Sequence, residues 1–323
     1  MKGAAAPPAT PSALTEPLSD EEIAAARSRI AGVAIRAPLV RSGDTRTWLK
    51  LECLQPYGSY KIRGAINALA ARIEREGAPA AIVSASAGNF GQAIAAAGRR
   101  LGLPVFIHVP QNAARVKGES LRRLGAVVRE HSFEAWWRII QTRETKDEGA
   151  FFHPVADRDV IAGAATIGEE ILEDLPDLDA VLIPVGGGGL ACGIAQAIRR
   201  RARACRIIAV ETELATPLRA ARRADAPVSV ERRPSFIDGM GSTRVLDEMW
   251  PMLKTLVDEV VVVSLEEVEA AIRALALDHH VIAEGAGAAA PAAAAKHDLG
   301  DCAAIVSGGN LDRAELRRIL AEA

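Results

Sequence analysis

The sequence predicts an α/β protein of two lobes built on mainly parallel sheets. Short apolar and β-branched runs of strand length alternate along the chain with Ala-, Leu- and Arg-rich stretches of helical length. At 323 residues the chain is long enough for two domains that each bury a core. The strand runs also fall into two series, one from about 80 to 150 and a second beginning near 180.

In chain order, "MKGAAAPPATPSALTEP" carries one lysine and several prolines but lacks the apolar stretch of a signal peptide. Residues 1–18 are therefore expected to be a disordered leader on a cytoplasmic protein. Order is expected from Ser19, because "SDEE" sets a serine at a helix N-cap with Glu22 three residues on, a capping box opening a helix through Ile30. "AAIVSAS" from 80, "PVFIHVP" from 104 and "AVVREH" from 126 are the strands of the first series. "FFHPVADRDVIAGAATIGEEI" then leads into the second, with "AVLIPVG" from 180, "RIIAVET" from 206 and "CAAIVSG" from 302. A boundary is expected near residue 152. In "VVVVSLEEVEAAIRALALDHH" a strand runs into a helix capped by Ser264 with Glu267 at its third position. Val268, Ile272 and Leu275 share one face of that helix, which is packing and not chemistry.

Composition excludes several classes of partner. Hydrophobic residues make up 49%, charged residues 25%, and the formal net charge is −2, so the basic excess that favours nucleic acid is missing. No run of 18 apolar residues occurs, so no membrane span is expected. Cys53, Cys192, Cys205 and Cys302 are far apart, without metal-ligand spacing, and read as reduced interior thiols. A small-molecule ligand fits this balance best.

"PVGGGGLACG" follows a strand and opens a helix, where backbone N–H groups and the helix dipole hold a phosphate. Four consecutive glycines remove every Cβ that would block the approach. The same residues also satisfy a dinucleotide spacing through Gly186, Gly188 and Ala191, with Glu211 at the end of the next strand, and spacing alone does not separate the two. A nicotinamide-dependent dehydrogenase, however, leaves three features without a role. These are Lys61 in "PYGSYKIRGA", the loop "SASAGNFGQ" and the late "SGGN". Three small-residue loops at strand ends suggest one crevice, holding a ligand with a phosphate at one end and polar groups elsewhere.

"LECLQPYGSYKIRGA", "SASAGNFGQAIA", "HPVADRDVIAGAATIGEEI", "PVGGGGLACG", "EGAGAAA" and "SGGN" occur in the order and approximate spacing of the fold-type II pyridoxal-phosphate enzymes. Over nearly the whole chain from Ser19, the sequence resembles their serine/threonine dehydratase (threonine ammonia-lyase) and serine racemase branch. The resemblance implies a tryptophan synthase β-like fold, two doubly wound parallel-sheet domains with the cofactor in the cleft between them. The large cofactor-binding domain would comprise 19–60 and 153–323, and the small domain 61–152 with its core at roughly 80–150.

Carried over by position, the resemblance makes Lys61 the catalytic Schiff-base lysine, with Tyr60 beside the ring of pyridoxal 5'-phosphate where the family usually has phenylalanine. Asn89 would bond the ring hydroxyl. Gly186, Gly187, Gly188 and Gly189, with Leu190, would hold the phosphate, and Ser307 would face the pyridine nitrogen. Ser86, Ala87, Gly88 and Asn89 would grip the substrate carboxylate. A desolvated pocket favours the neutral amine that an imine-forming lysine needs, and the same amine, once displaced by substrate, serves as base at Cα. A hydroxyl at Ser307 gives the ring nitrogen no formal countercharge, which suits rapid loss of a β-substituent better than transamination.

The implied activity is dehydration and deamination of a β-hydroxy amino acid such as L-threonine or L-serine to a 2-keto acid and ammonia, by a homodimer. The same chemistry on 3-phenylserine or 3-hydroxyaspartate, and β-replacement, are alternatives. So, from other classes, are a nicotinamide-dependent dehydrogenase and a non-catalytic cofactor-binding protein. Some positions depart from the family pattern. Racemases of the branch carry a second serine where this chain has Ala87, which argues against racemisation. Phe90 replaces the histidine common in the dehydratases. Some relatives bind a divalent or monovalent cation through an acidic residue at the position of Glu211 and another six residues later. Here the later position is Pro217, with Glu213 as a substitute, and an exposed strand-end glutamate is the competing explanation. Glu284 reads either as a residue near the cofactor or as a helix N-terminal charge. Asp238 and Gly239, in "FIDGMG", resemble a loop at the cofactor's edge, though Asp-Gly is also a turn dipeptide. His279 and His280 are spaced wrongly for one helical face and read as structural.

Overall fold

The structure is a computed structural model that describes residues 14–111 and 115–321. Order begins earlier than Ser19. Leu14 and Leu18 are buried in the core, Leu18 N–H donates to Gln196 Oε1 at 2.7 Å, and Arg158 donates to the carbonyls of Glu16 and Pro17. The two leucines give an otherwise Ala- and Pro-rich stretch something to bury, so the expected leader holds at most for residues 1–13, which lie outside the described residues. Helix α1 (Asp20–Ile30) then carries the expected capping box between Ser19 and Glu22.

Among the described residues, ten strands form two sheets. The larger contains β1 (Leu39–Arg41), β2 (Thr47–Lys50), β7 (Ala180–Pro184), β8 (Arg206–Thr212), β9 (Glu259–Val263) and β10 (Cys302–Ile305) in the order β1-β2-β10-β7-β8-β9. All neighbours are parallel except β1 and β2. The smaller holds β3 (Ile82–Ser84), β4 (Val105–Pro110), β5 (Val127–His131) and β6 (Ala150–Phe151), ordered β5-β4-β3-β6 and wholly parallel. The fully buried β7, "AVLIP", and near-fully buried β8, "RIIAVET", are the continuous apolar runs that a sheet covered on both faces requires.

Between the strands run α2 (Lys61–Glu76), α3 (Asn89–Leu101), α4 (Arg115–Arg123), α5 (Phe133–Thr142), α6 (Arg158–Asp174), α7 (Gly189–Arg201), α8 (Pro217–Ala224), α9 (Trp250–Leu256), α10 (Leu265–Leu277), α11 (Gly285–Ala294) and α12 (Arg313–Ala321). Ser264 and Glu267 form the expected capping box of α10, and Val268, Ile272 and Leu275 are buried. Ser42 Oγ lies 3.1 Å from His279 Nε2, joining the end of α10 to the turn between β1 and β2. All four cysteines are buried and unpaired.

Two features place the chemistry. The chain from Cys53 to Tyr60 is stitched to the segment after β10: Cys53 N–H donates to Val306 O at 2.9 Å, Tyr60 N–H to Ser307 O at 3.1 Å, and Gly309 N–H to Gly58 O at 2.8 Å. Helices α2 and α6 also cross with backbones almost touching, since a Cβ on Gly163 would stand 2.6 Å from Arg63 O and Gly64 Cα. The first turn of α2 is thus held between the end of β10 and the start of α6.

Candidate active site

Lys61 is the first residue of α2, and its half-buried side chain ends at the meeting of several elements. Nζ donates to Pro154 O at 3.0 Å and lies 5.0 Å from the centre of the Tyr60 ring and 5.9 Å from that of Phe90. Tyr60, Lys61, Gly64, Pro154, Gly189 and Leu190 share the walls of one void of about 10 Å³. The lysine and the start of α7 therefore face one another, although they are far apart in the sequence.

The loop from β7 into α7 has the geometry of an anion site. Gly188 takes φ 94° as the N-cap and Gly189 opens the helix, so the first-turn N–H groups are free of intrahelical partners. Glycine is required here by space as well as by conformation: a Cβ on Gly187 would be 2.5 Å from Val155 Cγ2, and one on Gly188 2.7 Å from Leu253 Cδ1.

Glu211 does not contribute to such a site. Its carboxylate is buried and accepts the N–H groups of Leu218 at 2.7 Å and Arg219 at 2.9 Å, capping α8, and burial pushes its pKa up to about 7. Both oxygens are engaged by the first turn of α8, which leaves the dinucleotide reading without the acidic partner that it needed. Among the described residues no group of three or more His, Cys, Asp or Glu side chains gathers as a metal site.

Next to Phe90 in the chain, Asn89 opens α3. Its Nδ2 donates to Glu284 Oε1 at 2.7 Å, and its Oδ1 accepts from Asn310 Nδ2 at 2.8 Å. Glu284 is almost buried at the N-cap of α11 and makes no side-chain cap bond. Gly239 lies close by, since a Cβ there would be 3.5 Å from Glu284 Oε1, and a Cβ on Gly186 would be 3.1 Å from Gly239 O. Gly186, Gly239, Glu284 and Asn89 therefore form one patch, with Asp238 exposed at its edge. Ser307 is 5% exposed and donates to Ala286 O at 3.3 Å. Ser86, Ala87 and Gly88 are half-buried between β3 and α3, and a Cβ on Gly88 would meet nothing within 4 Å, so the loop borders open space.

Three residues lie in stretches quoted above, "SGGN" and "HPVADRDVIAGAATIGEEI", without having been given a role there. Asn310 ties Asn89 to the carbonyl of Tyr57 at 2.8 Å, and Tyr57 takes a strained φ of 63°. Pro154 supplies the carbonyl that holds Lys61. His153, just before it, is fully enclosed: its Nδ1 accepts from Val155 and Ala156 N–H, and Nε2 faces Ile140 O at 3.1 Å, which fixes Nε2 as the protonated nitrogen. Burial, then the charge of Arg143, drive its pKa down to about 3. An imidazole disfavoured as a cation in the fold contributes stability that is complete above the unfolded value near 6.5 and lost as pH falls toward 3. The thermal midpoint is therefore expected to drop between about pH 7 and pH 4, and to drop less in a His153→Asn variant; equal slopes in the two proteins would exclude this account.

A profile of the family described as "Pyridoxal-phosphate dependent enzyme" matches residues 30–308. An L-threonine ammonia-lyase from Thermotoga maritima is 39% identical over 282 residues, covering 84% of this chain and 69% of the relative. The catabolic L-threonine dehydratase of Escherichia coli (strain K12) is 32% identical, covering 94% of this chain and 96% of the relative. Among solved structures, maize serine racemase superposes with a TM-score of 0.82 at 28% identity, covering 95% of this chain and 98% of that one. The processed form of threonine deaminase isoform 2 from Solanum lycopersicum also gives 0.82, at 27% identity, covering 100% of this chain and 96% of that one. The donor set agrees: a lysine amine for an aldehyde, a glycine-lined helix start for a phosphate, and a serine hydroxyl and an asparagine amide for a ring's polar atoms.

Proposed function

The chain belongs to the pyridoxal-phosphate-dependent enzyme family, and we propose that within it the protein is an ammonia-lyase acting on β-hydroxy amino acids. Lys61 would hold the cofactor's aldehyde carbon, Gly186 to Gly189 with Leu190 its phosphate, Asn89 its ring hydroxyl and Ser307 its ring nitrogen, with Tyr60 beside the ring. Bound there, the cofactor supplies the electron sink that makes the amino acid's Cα hydrogen acidic. The observation that carries the reading is the single void shared by Lys61, Tyr60 and the first turn of α7.

The chain's own groups then divide the work. Ser86, Ala87, Gly88 and Asn89 bind the substrate carboxylate with main-chain and side-chain donors at the start of α3. Lys61 takes the Cα proton, and that proton leaves with the β-hydroxyl as water. The released enamine picks up a proton at its β-carbon and hydrolyses to a 2-keto acid and ammonia. Pro154 O holds the lysine when it is not engaged. Ser307 offers the ring nitrogen a neutral hydroxyl, which supports elimination over reactions that need a longer-lived carbanion. Ala87 offers no hydroxyl for returning a proton, which supports elimination over racemisation. Glu284, held by Asn89, belongs to the cofactor's surroundings, and Asp238 and Gly239 to their rim.

We also assign residues 19–60 and 153–323 to a large lobe and 61–152 to a small one. The working form proposed is a cytoplasmic homodimer. Ile35, Leu54, Tyr57 and Ile282 are exposed apolar side chains around the 52–58 turns that a second copy would cover. Among the described residues no helix is long and apolar enough to cross a membrane.

Keto-acid release measured across serine, threonine, phenylserine and hydroxyaspartate isomers, with added cofactor, is the direct test. Turnover of at least one is expected, together with a visible chromophore that borohydride removes. A protein that stays colourless in excess cofactor and releases nothing would defeat the proposal.

A further inference from the structure

We propose that the first turn of α5 forms the wall that receives the substrate's β-substituent, so that the enzyme prefers a β-hydroxy amino acid bearing an aryl group over threonine. The inference rests on the lyase reading above and names the substrate class of the same site.

Aromatic residues are scarce in this chain, at 4%, yet Phe133, Trp136 and Trp137 lie within little more than one turn. Their ring centres are 5.8 Å (Phe133–Trp136), 6.4 Å (Phe133–Trp137) and 6.2 Å (Trp136–Trp137) apart. Helix α5 follows β5, so this turn sits at the carboxyl edge of the small sheet, the edge from which the Ser86–Asn89 loop also leaves.

Contacts fasten α5 to the site. Trp136 and Trp137 pack against the cluster of Ala85, Ile139 and Ile140, and Ala85 immediately precedes Ser86. Ile140 O bonds His153, whose neighbour Pro154 holds Lys61. Arg143, capping α5, pairs with Glu248 at 2.7 Å across to the segment before α9, and Leu246 from that segment joins the same cluster. The aromatic turn is thus joined to the substrate loop through Ala85 and, by way of Ile140, His153 and Pro154, to the lysine.

Two observations make it a binding surface rather than plain core. Phe133 remains 42% exposed, leaving the stack open to one more ring. The indole N–H of Trp136 is buried and, among the described residues, finds no hydrogen-bond acceptor. Buried donors are almost always paired, so this indole keeps an unmet hydrogen-bonding capacity at the base of the stack. A threonine methyl covers little of a three-ring wall, whereas a phenyl group gains offset or edge contacts with it.

The test compares kcat/KM for L-threonine and threo-3-phenylserine in the cofactor-loaded wild type, Trp136→Ala and Trp136→Phe. The wild type is expected to favour phenylserine by about 10- to 100-fold, in the range a well-matched apolar pocket supplies. In Trp136→Ala the ratio of the two values should collapse toward one, and Trp136→Phe should restore part of it. Because Trp136 is partly buried, the exposed Phe133→Ala provides a second variant, with the same direction expected. A wild type that favours threonine, or variants that lower both values in proportion, would overturn the inference while leaving the lyase reading intact. Release of keto acid from neither substrate, nor from any other β-hydroxy amino acid, would defeat both.

Discussion

A Lys61→Ala protein is expected to fold and to lose keto-acid release by about 10⁴-fold or more, the scale seen when one residue that is both covalent anchor and base is removed. The two consequences separate because of how Lys61 is held. In the fold its Nζ donates one hydrogen bond, to Pro154 O, from a half-buried position, so truncation costs only about 1–3 kcal/mol of stability. In the reaction neither ring neighbour of its Nζ among the described residues, Tyr60 or Phe90, carries an amine that could form the covalent link, and Ala87 has no exchangeable side-chain proton. Lys61→Arg sharpens the test, because arginine keeps a charge for Pro154 O but does not give up its proton near neutrality. Both variants should be inactive and lack the borohydride-sensitive colour, with circular dichroism matching the wild type. Full ammonia release by Lys61→Ala would end the proposal.

The parts of this site that could be read from sequence are those whose chemistry constrains local composition. A phosphate at a helix start needs glycines, so "VGGGGL" stands out before any fold is known. Capping boxes at Ser19 and Ser264 work through residues three apart, and both are formed. What sequence could not supply was set by distance along the chain. Asn310 reaches Asn89 across 221 positions, and the pairing of Tyr60 with Ser307 exists only because β10 lies against β2. The short edge strands β1 and β6, of three and two residues, are too brief for an alternation to register. Glu211 is the instructive case: its place at a strand end suggested a ligand, but the carboxylate is used to cap the helix that follows. Leu14 and Leu18 show the opposite error, since a Pro- and Ala-rich composition hid two residues that the core needs.

The largest expected effect on stability comes from a residue that sequence treats as ordinary. Arg63, two positions after Lys61, is 1% exposed. Its guanidinium donates to Glu52 at 2.8 and 2.9 Å, to Glu170 at 2.7 and 2.9 Å, to Thr166 and to the carbonyl of Ile35. Lys50, also buried, donates to the same Glu170 at 2.6 Å and to Ala37 O. Two cations thus meet two carboxylates away from water, with the guanidinium donors engaged on every side. Arg63→Leu leaves Glu170 its lysine but strips Glu52 of its counter-charge. An uncompensated buried charge of this kind costs about 3–5 kcal/mol, which urea denaturation should register as a clear fall in midpoint. Replacing Arg63 and Glu52 together by leucine and methionine should cost less than Arg63→Leu alone, because the stranded carboxylate goes too. Arg63→Lys keeps the charge without the planar fork and should fall between. A stability for Arg63→Leu within about 0.5 kcal/mol of wild type, the range of ordinary surface changes, would show that water reaches Glu52 and that the network is not sealed. If the cost is as large as argued, cofactor binding should weaken as well, because the same guanidinium pins the first turn of α2 to Glu52 and α6, and Lys61 stands on that turn.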